Sequence, residues 1–364
     1  MRAAAVAGLA ERAARRYRDP KVATLGLSEE PRSSLAYGAA GVAYFLLRHA
    51  SLGGGERSLE GARMWAAQAE RACEAGAIRG GSLLYGEPGV WWLQALVADA
   101  ALDVAEVRRS ADRFTAAATL AVGAAADVAS GSAGLLLGCA QLLESVDDAV
   151  AVAPVGAVAA RIAFDLLALV ERDGGKPGET SLGYLGAAHG WAGVAQALLR
   201  WSRATHQQPS VEVLALLERL IALRRPSGRW PVQAGSDAVR LGWCHGSAGW
   251  AQLWTLAWQL IGEQRLLDLA EFSAQDAVDA DEDNPSLCCG RAGQGYAALT
   301  LYQATGQRRW LDAAHKVAAE ATRTPDPDKR PAHRLFSGEL GVALLAAELE
   351  EPTRASMPVY QSIS

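Results

Sequence analysis

Two kinds of apolar segment alternate along the chain. One kind is apolar almost all round for about three turns, as in 41–50 (GVAYFLLRHA), 134–143 (GLLLGCAQLL), 193–202 (GVAQALLRWS) and 341–350 (GVALLAAELE). Segments of that kind predict buried helices. The other kind is amphipathic. Over 211–225, Leu214, Leu217 and Leu220/Ile221 form one stripe, while Glu212, Arg219 and Arg224 fall elsewhere, predicting an outer helix with one wet face. Alternating strand patterns are scarce, so the chain reads as all-α.

Each buried segment opens on Gly-x-x-Gly. The first glycines stand at 38, 86, 131, 190, 246, 290 and 338, giving successive steps of 48, 45, 59, 56, 44 and 48 residues. A step of that size holds two helices and two connections. The two longest leave room for longer links, including the polar stretch 171–181. An open helical array needs polar caps at its ends. Here the first and last motifs, SLAYGAAGVAYFLL and HRLFSGELGVALLA, are as apolar downstream as those between. The expected fold is therefore a closed α/α toroid of seven inner and seven outer helices, one domain over residues 1–364.

Composition narrows the function. Half of the 364 residues are apolar, enough for a large core, and a formal charge of −5 with no basic track gives no reason to expect a nucleic-acid-binding face. The apolar stretch 149–170 is interrupted by Arg161 and Asp165, and the Ala-rich N-terminal stretch carries Arg2, Glu11, Arg12, Arg15 and Arg16. Neither reads as a membrane span or a signal peptide, so a reducing cytoplasm is the expected compartment. Five cysteines, an odd number, are read there as thiols.

The repeat also sets a register. Immediately before the first glycines stand Tyr37, Tyr85, Ser130, His189, His245, Cys289 and Ser337, all polar or ionisable; one position earlier stand Ala36, Leu84, Ala129, Ala188, Cys244, Cys288 and Phe336. Cys73 and Cys139 lie outside these columns and are expected to pack, and His49, His206, His315 and His333 are expected on the surface or in loops. Consecutive residues on a helix diverge by about 100°, so Cys288 and Cys289 reach one ion only at a helix start, which Gly290 provides. Three convergent thiolates suit Zn²⁺. Spacing leaves two forms open: a closed site in which His245 is the fourth ligand, or a three-cysteine site with a free position. Trp191, Trp243 and Trp250 flank the same motifs, as a wall for a ligand or as core.

With these motifs in view, AAHGWAG around His189, GWCHGSAG around Cys244 and LCCGRAG around Cys288 and Cys289, with SLAYGAAG and LFSGELG at either end, the sequence resembles the lanthipeptide cyclase (LanC-like) family over nearly its whole length. That resemblance implies an α/α toroid with a central zinc. It implies thioether rings formed by adding peptide cysteine thiols to dehydroalanine or dehydrobutyrine. By position it implies Cys244, Cys288 and Cys289 as zinc ligands, His189 as acid/base, and supporting roles for Asp127 and Arg240. A structural ion pair or helix-start cap is the other reading of the last two. The usual Cys-His pair is replaced by Cys288-Cys289, as in the three-cysteine variant of some bifunctional synthetases, and His245 stands where several bacterial cyclases have tyrosine, making it an alternative acid. The implied partners are a dehydrated precursor peptide and a dehydratase, separate or fused. No kinase-like or dehydratase region is recognised in the chain, which is expected to be a free-standing cyclase or an isolated cyclase domain. Two other functions fit the same motifs: addition of a small thiol such as glutathione to dehydroamino acids, and a non-catalytic, zinc-stabilised peptide-binding toroid.

Overall fold

The structure, a computed structural model, describes residues 2–21, 33–76, 80–123, 125–174, 176, 182–323 and 331–361. Of the polar stretch 171–181, residues 175 and 177–181 lie outside the described residues. Among those described, the inner helices are α2 (Ala39–His49), α4 (Glu87–Ala100), α6 (Ser132–Ser145), α8 (Trp191–Ala204), α10 (Ser247–Ile261), α12 (Arg291–Thr305) and α14 (Glu339–Glu348). The outer helices are α1 (Arg2–Tyr17), α3 (Gly55–Glu74), α5 (Val104–Ala121), α7 (Ala149–Asp173), α9 (Val211–Ala222), α11 (Gln264–Val278) and α13 (Arg308–Ala321). Neighbouring inner helices touch in order from α2 to α14, and α14 touches α2. The fold is an α/α toroid.

The two hydrophobic patterns explain the two layers. Every residue of α10 from Ser247 to Ala257 is buried, whereas α9 buries only Val213, Leu216, Leu217 and Leu220. The α9 stripe is rotated from the expected one, and Leu214 points outward at 38% exposure. The segment is apolar enough to offer two faces, and the spacing 213, 216, 217, 220 keeps the wider face on the core. Helix α7 alone among the described helices is long and apolar enough to cross a membrane. In the toroid it packs as an outer helix through Val155, Ala159, Ile162, Leu166 and Val170.

The glycine pairs serve close approach. Gly246 and Gly290, at the N-caps of α10 and α12, have extended backbones with φ near −130°. A side chain on Gly249 or Gly293 would strike the carbonyl oxygen of Trp243 or Leu287, the residue six positions earlier. The turn before each of these helices is thus folded tightly against the helix's own first turn.

Those turns are joined by a belt of backbone hydrogen bonds. Ala36 N donates to Leu84 O (2.9 Å), Ala129 N to Ala188 O (2.8 Å), Ala188 N to Cys244 O (2.9 Å), Cys244 N to Cys288 O (3.1 Å) and Cys288 N to Phe336 O (2.8 Å). Leu335 N (3.1 Å) and Phe336 N (3.4 Å) both approach Ala36 O, so the belt runs from Ala129 round to Leu84, with no such bond between Leu84 and Ala129 among the described residues. Every donor and acceptor but Leu335 belongs to the second of the two columns read from the sequence. The belt holds that column's backbone in register, and the residue after each member stands at the mouth of the ring.

Below the belt, α2 and α14 are joined by a buried ion pair, Arg48 Nε to Glu348 Oε1 at 2.9 Å, with side chains 1% and 0% exposed. The segment 352–361 runs into the lumen. Arg48 Nη2 donates to Arg354 O, Gln303 Nε2 to Ala355 O, Ser356 N to Glu348 Oε2, Gln196 Nε2 to Tyr360 O and Gln141 Nε2 to Gln361 O. This one segment therefore bonds to α2, α6, α8, α12 and α14.

Candidate active site

The turn ahead of α10 carries Cys244 and His245; the turn ahead of α12 carries Cys288 and Cys289. The belt bond between Cys244 and Cys288 sets these turns side by side, and all three sulfurs lie within 4.8 Å of one another. Cys289 Sγ is 3.4 Å from Cys244 Sγ and 3.2 Å from Cys288 Sγ. Zinc–sulfur bonds of about 2.3 Å in a tetrahedron place sulfurs about 3.8 Å apart, so a small outward movement seats an ion. Cys244 is buried, Cys288 half-buried and Cys289 exposed, so the set opens outward.

Crowding raises the cost of ionising these thiols. Hydrogen bonds with Cys244 and Cys289, then burial, hold Cys288 well above its ordinary value. A hydrogen bond with Cys288 favours the Cys244 thiolate, but the hydrogen bond with Cys289 and burial push that thiol up to about 12. A soft divalent cation reverses this balance because it binds thiolates outright. The donor set fits zinc.

His245 is not one of the converging donors. Its ring stacks on His189, with centroids 5.2 Å apart, and packs 4.9 Å from Tyr184. Burial, then the charge of His189, hold its pKa below the usual histidine value. His189 Nδ1 lies 3.2 Å from Asp127 Oδ2. The other carboxylate oxygen of Asp127 accepts the Ser130 backbone N–H at 2.7 Å, so Asp127 both fixes its own turn and orients an imidazole. With Nδ1–H donated to Asp127, His189 keeps Nε2 as its basic nitrogen. Arg240 is exposed, donates to Val239 O at 3.0 Å, and stands near enough to His245 for its charge to disfavour the imidazolium. Beside Asp127, Tyr184 and His189 opens a cleft of about 670 Å³, whose far side is Leu166, Leu169 and Arg172 of α7.

Tyr184 is not among the residues expected at the site, although its register marks it. It stands six residues before Gly190, as Arg240 stands six before Gly246, and those glycines pack on the carbonyls of Tyr184 and Arg240. Tyr37 and Tyr85 were seen only as column members; their rings lie 5.3 Å apart, with the Arg334 guanidinium 4.7 Å over Tyr37.

One expectation is corrected, that of His49 on the surface or in a loop, and of the two readings of the tryptophans the core one holds. Trp191, Trp243 and Trp250 form no wall: they are at most 2% exposed, Trp250 stacks on Trp230, and Trp243 packs on Phe336 and Tyr360. His49 is not a surface residue, because it lies on a helix buried all round, with Nδ1 2.9 Å from Ser58 Oγ. His333 lies in the turn region ahead of α14, as expected, although it is only 4% exposed. Cys139 is buried and Cys73 half-buried.

Comparison with known proteins agrees with the fold. Residues 30–361 match the family described as lanthionine synthetase C-like protein. The chain is 27% identical over 202 residues to "Glutathione S-transferase LANCL1" of Danio rerio, covering 49% of this chain and 46% of that protein. It is 27% identical over 189 residues to "LanC-like protein GCL1" of Arabidopsis thaliana, covering 49% and 43%. The chain thus spans about half the length of the curated relatives it matches. Among solved structures, "Nisin cyclase" superposes with a TM-score of 0.68 at 15% identity, over 95% of this chain and 93% of that one; at that identity the likeness is one of fold.

Proposed function

Because the chain belongs to the lanthionine synthetase C-like family, we propose that it closes thioether rings in a dehydrated precursor peptide, adding cysteine thiols to dehydroalanine or dehydrobutyrine. The observation that carries this reading is the placement of two groups at one mouth of the toroid: the sulfurs of Cys244, Cys288 and Cys289, and the Asp127–His189 pair. Zinc held by those three cysteines would act as a Lewis acid that makes a substrate thiol acidic near neutral pH.

The residues of the chain supply the rest. A free thiol has a pKa near 8.5, and Nε2 of His189 accepts its proton while Asp127 holds the resulting imidazolium. The sulfur bonds to the β-carbon, and the carbon–carbon π pair moves onto the carbonyl as an enolate. His189 returns the proton to the α-carbon, so no proton is lost or gained. Arg240 and the N-termini of the inner helices present positive charge at the mouth where the enolate oxygen forms. His245 is the second acid of the stacked pair. The cleft beside His189 is large enough for a short stretch of extended peptide. In this reading a dehydratase, separate or fused, supplies the substrate, and the enzyme works in the cytoplasm.

A second reading, addition of glutathione to dehydroamino acids, is favoured by the likeness to "Glutathione S-transferase LANCL1". Incubation with a dehydrated cysteine-containing peptide separates the two. Ring closure removes alkylatable thiol from the peptide without changing its mass, whereas glutathione addition raises the mass.

A further inference from the structure

The segment 352–361 leaves part of the lumen open. On the side of Tyr360 away from the sulfurs lies a cavity of about 270 Å³, walled by Gln196, Arg200 and Arg203 of α8, Gln252 of α10, and Thr300 and Gln303 of α12. It runs from the middle of these helices toward their last turns, while the metal-binding turns precede their first residues. Tyr360 separates the two sites: its carbonyl accepts from Gln196, and its ring packs edge-on against Trp243.

Most of the amides here are used by the fold. Gln361 Nε2 donates to Thr300 Oγ1 at 2.6 Å, and Gln303 Nε2 donates to Ala355 O at 2.7 Å. Gln252 differs. It is 1% exposed, and neither its Oε1 nor its Nε2 has a hydrogen-bond partner among the described residues. Gln196 Oε1, on the same wall, has none either. Buried amides are normally paired, because leaving them bare costs free energy. Two acceptors and one amide donor without a partner among the described residues thus belong to side chains that line one cavity. Its lining also carries cationic side chains: Arg200 and Arg203 both line it and, among the described residues, no carboxylate does, while Glu144, with which both arginines pair, lies outside the lining.

We propose that this cavity binds an amide adjacent to a carboxylate, the chemistry of an N-acyl amino acid or of the last residue of a peptide. The amide N–H meets Gln252 Oε1 or Gln196 Oε1, the amide carbonyl meets Gln252 Nε2, and the carboxylate lies toward Arg200 and Arg203. Drug-sized sites span about 300–1,000 Å³, so this one holds a residue or two. The proposal is independent of the reaction assigned to the sulfurs.

The test is titration calorimetry on the full chain with N-acetylglycine. Saturable binding is expected, at least tenfold weaker for N-acetylglycinamide, which lacks the carboxylate, and at least tenfold weaker in Gln252→Leu. Arg203→Ala, at a half-exposed position, gives the same loss without touching the buried end. Cys288→Ala binds N-acetylglycine as the wild type does, which separates this site from the metal centre. N-acetyltetraglycine distinguishes the sources: binding like N-acetylglycine assigns a peptide end, and failure to bind assigns a free acyl amino acid. No saturable heat, meaning a cavity holding water only, overturns the proposal. So does equal binding by the amide probe, or unchanged binding in both Gln252→Leu and Arg203→Ala.

Discussion

His189 and His245 come from successive repeats, yet their rings stack with centroids 5.2 Å apart and planes inclined by 26°. Two imidazoles that close do not both carry charge comfortably, and only His189 has a carboxylate partner, Asp127. In the proposed ring closure the proton is therefore assigned to His189. Removing a positioned acid/base typically costs about 10²–10⁴ in rate. His189→Gln is expected to lose that much turnover, and Asp127→Asn about 10², both with zinc content unchanged. Wild-type rates in His189→Gln would remove it from the mechanism.

The toroid closes through Arg48 and Glu348, both at most 1% exposed. Breaking a buried ion pair by removing one partner costs about 3–5 kcal/mol, while replacing both partners with apolar residues is often neutral. Glu348→Gln should lower the melting temperature sharply, and Arg48→Met with Glu348→Leu should recover most of it. If the single variant melts with the wild type, the pair does not hold the ring shut.

Tyr360 is fully buried, its hydroxyl has no partner among the described residues, and its ring meets Trp243, the neighbour of Cys244. Tyr360→Phe is expected to be as stable as the wild type or more so, because it deletes an unpaired buried hydroxyl. Tyr360→Ala should cost about 3–5 kcal/mol and release zinc at lower chelator concentration, since Trp243 loses its support. Unaltered zinc retention in a folded Tyr360→Ala would show that the lumen segment does not position the metal turn.

Burial holds the pKa of His49 below its usual value, so folding favours the neutral ring. The stabilisation is complete above the unfolded value of about 6.5 and is lost as pH falls below it. The melting temperature should drop between about pH 7 and pH 5.5, and His49→Asn, which keeps a polar atom near Ser58, should flatten part of that drop. An unchanged pH slope in His49→Asn would mean that the ring titrates alike in both states.

The glycine register made much of this legible. Seven inner helices, closure of the ring and the gathering of Cys244, Cys288 and Cys289 follow from positions relative to Gly38, Gly86 and their counterparts, because the turn before each is pinned by backbone contacts that depend little on side chains. What was not legible depends on packing between segments distant in sequence. The burial of His49 follows from α2 being apolar on all sides, which a polar residue at its end disguises. Whether His245 joins the metal group or stacks on His189 is a matter of a few ångströms that spacing does not encode. Tyr360 lies after the last repeat, and Gln252 stands six residues after Gly246 as Gln196 stands six after Gly190, but that offset does not tell that the Gln252 amide lacks a partner, so only the folded lumen reveals both.

In the proposed function, three cysteines and the Asp127–His189 pair form one thioether-forming site. Its most direct test pairs zinc quantification with thiol alkylation of a dehydrated cysteine-containing peptide, using the wild type and Cys288→Ala. The wild type should hold about one zinc per chain and remove alkylatable thiol at constant peptide mass, with both lost in Cys288→Ala. A wild-type protein that holds its zinc but leaves the thiols of every tested peptide alkylatable would contradict it.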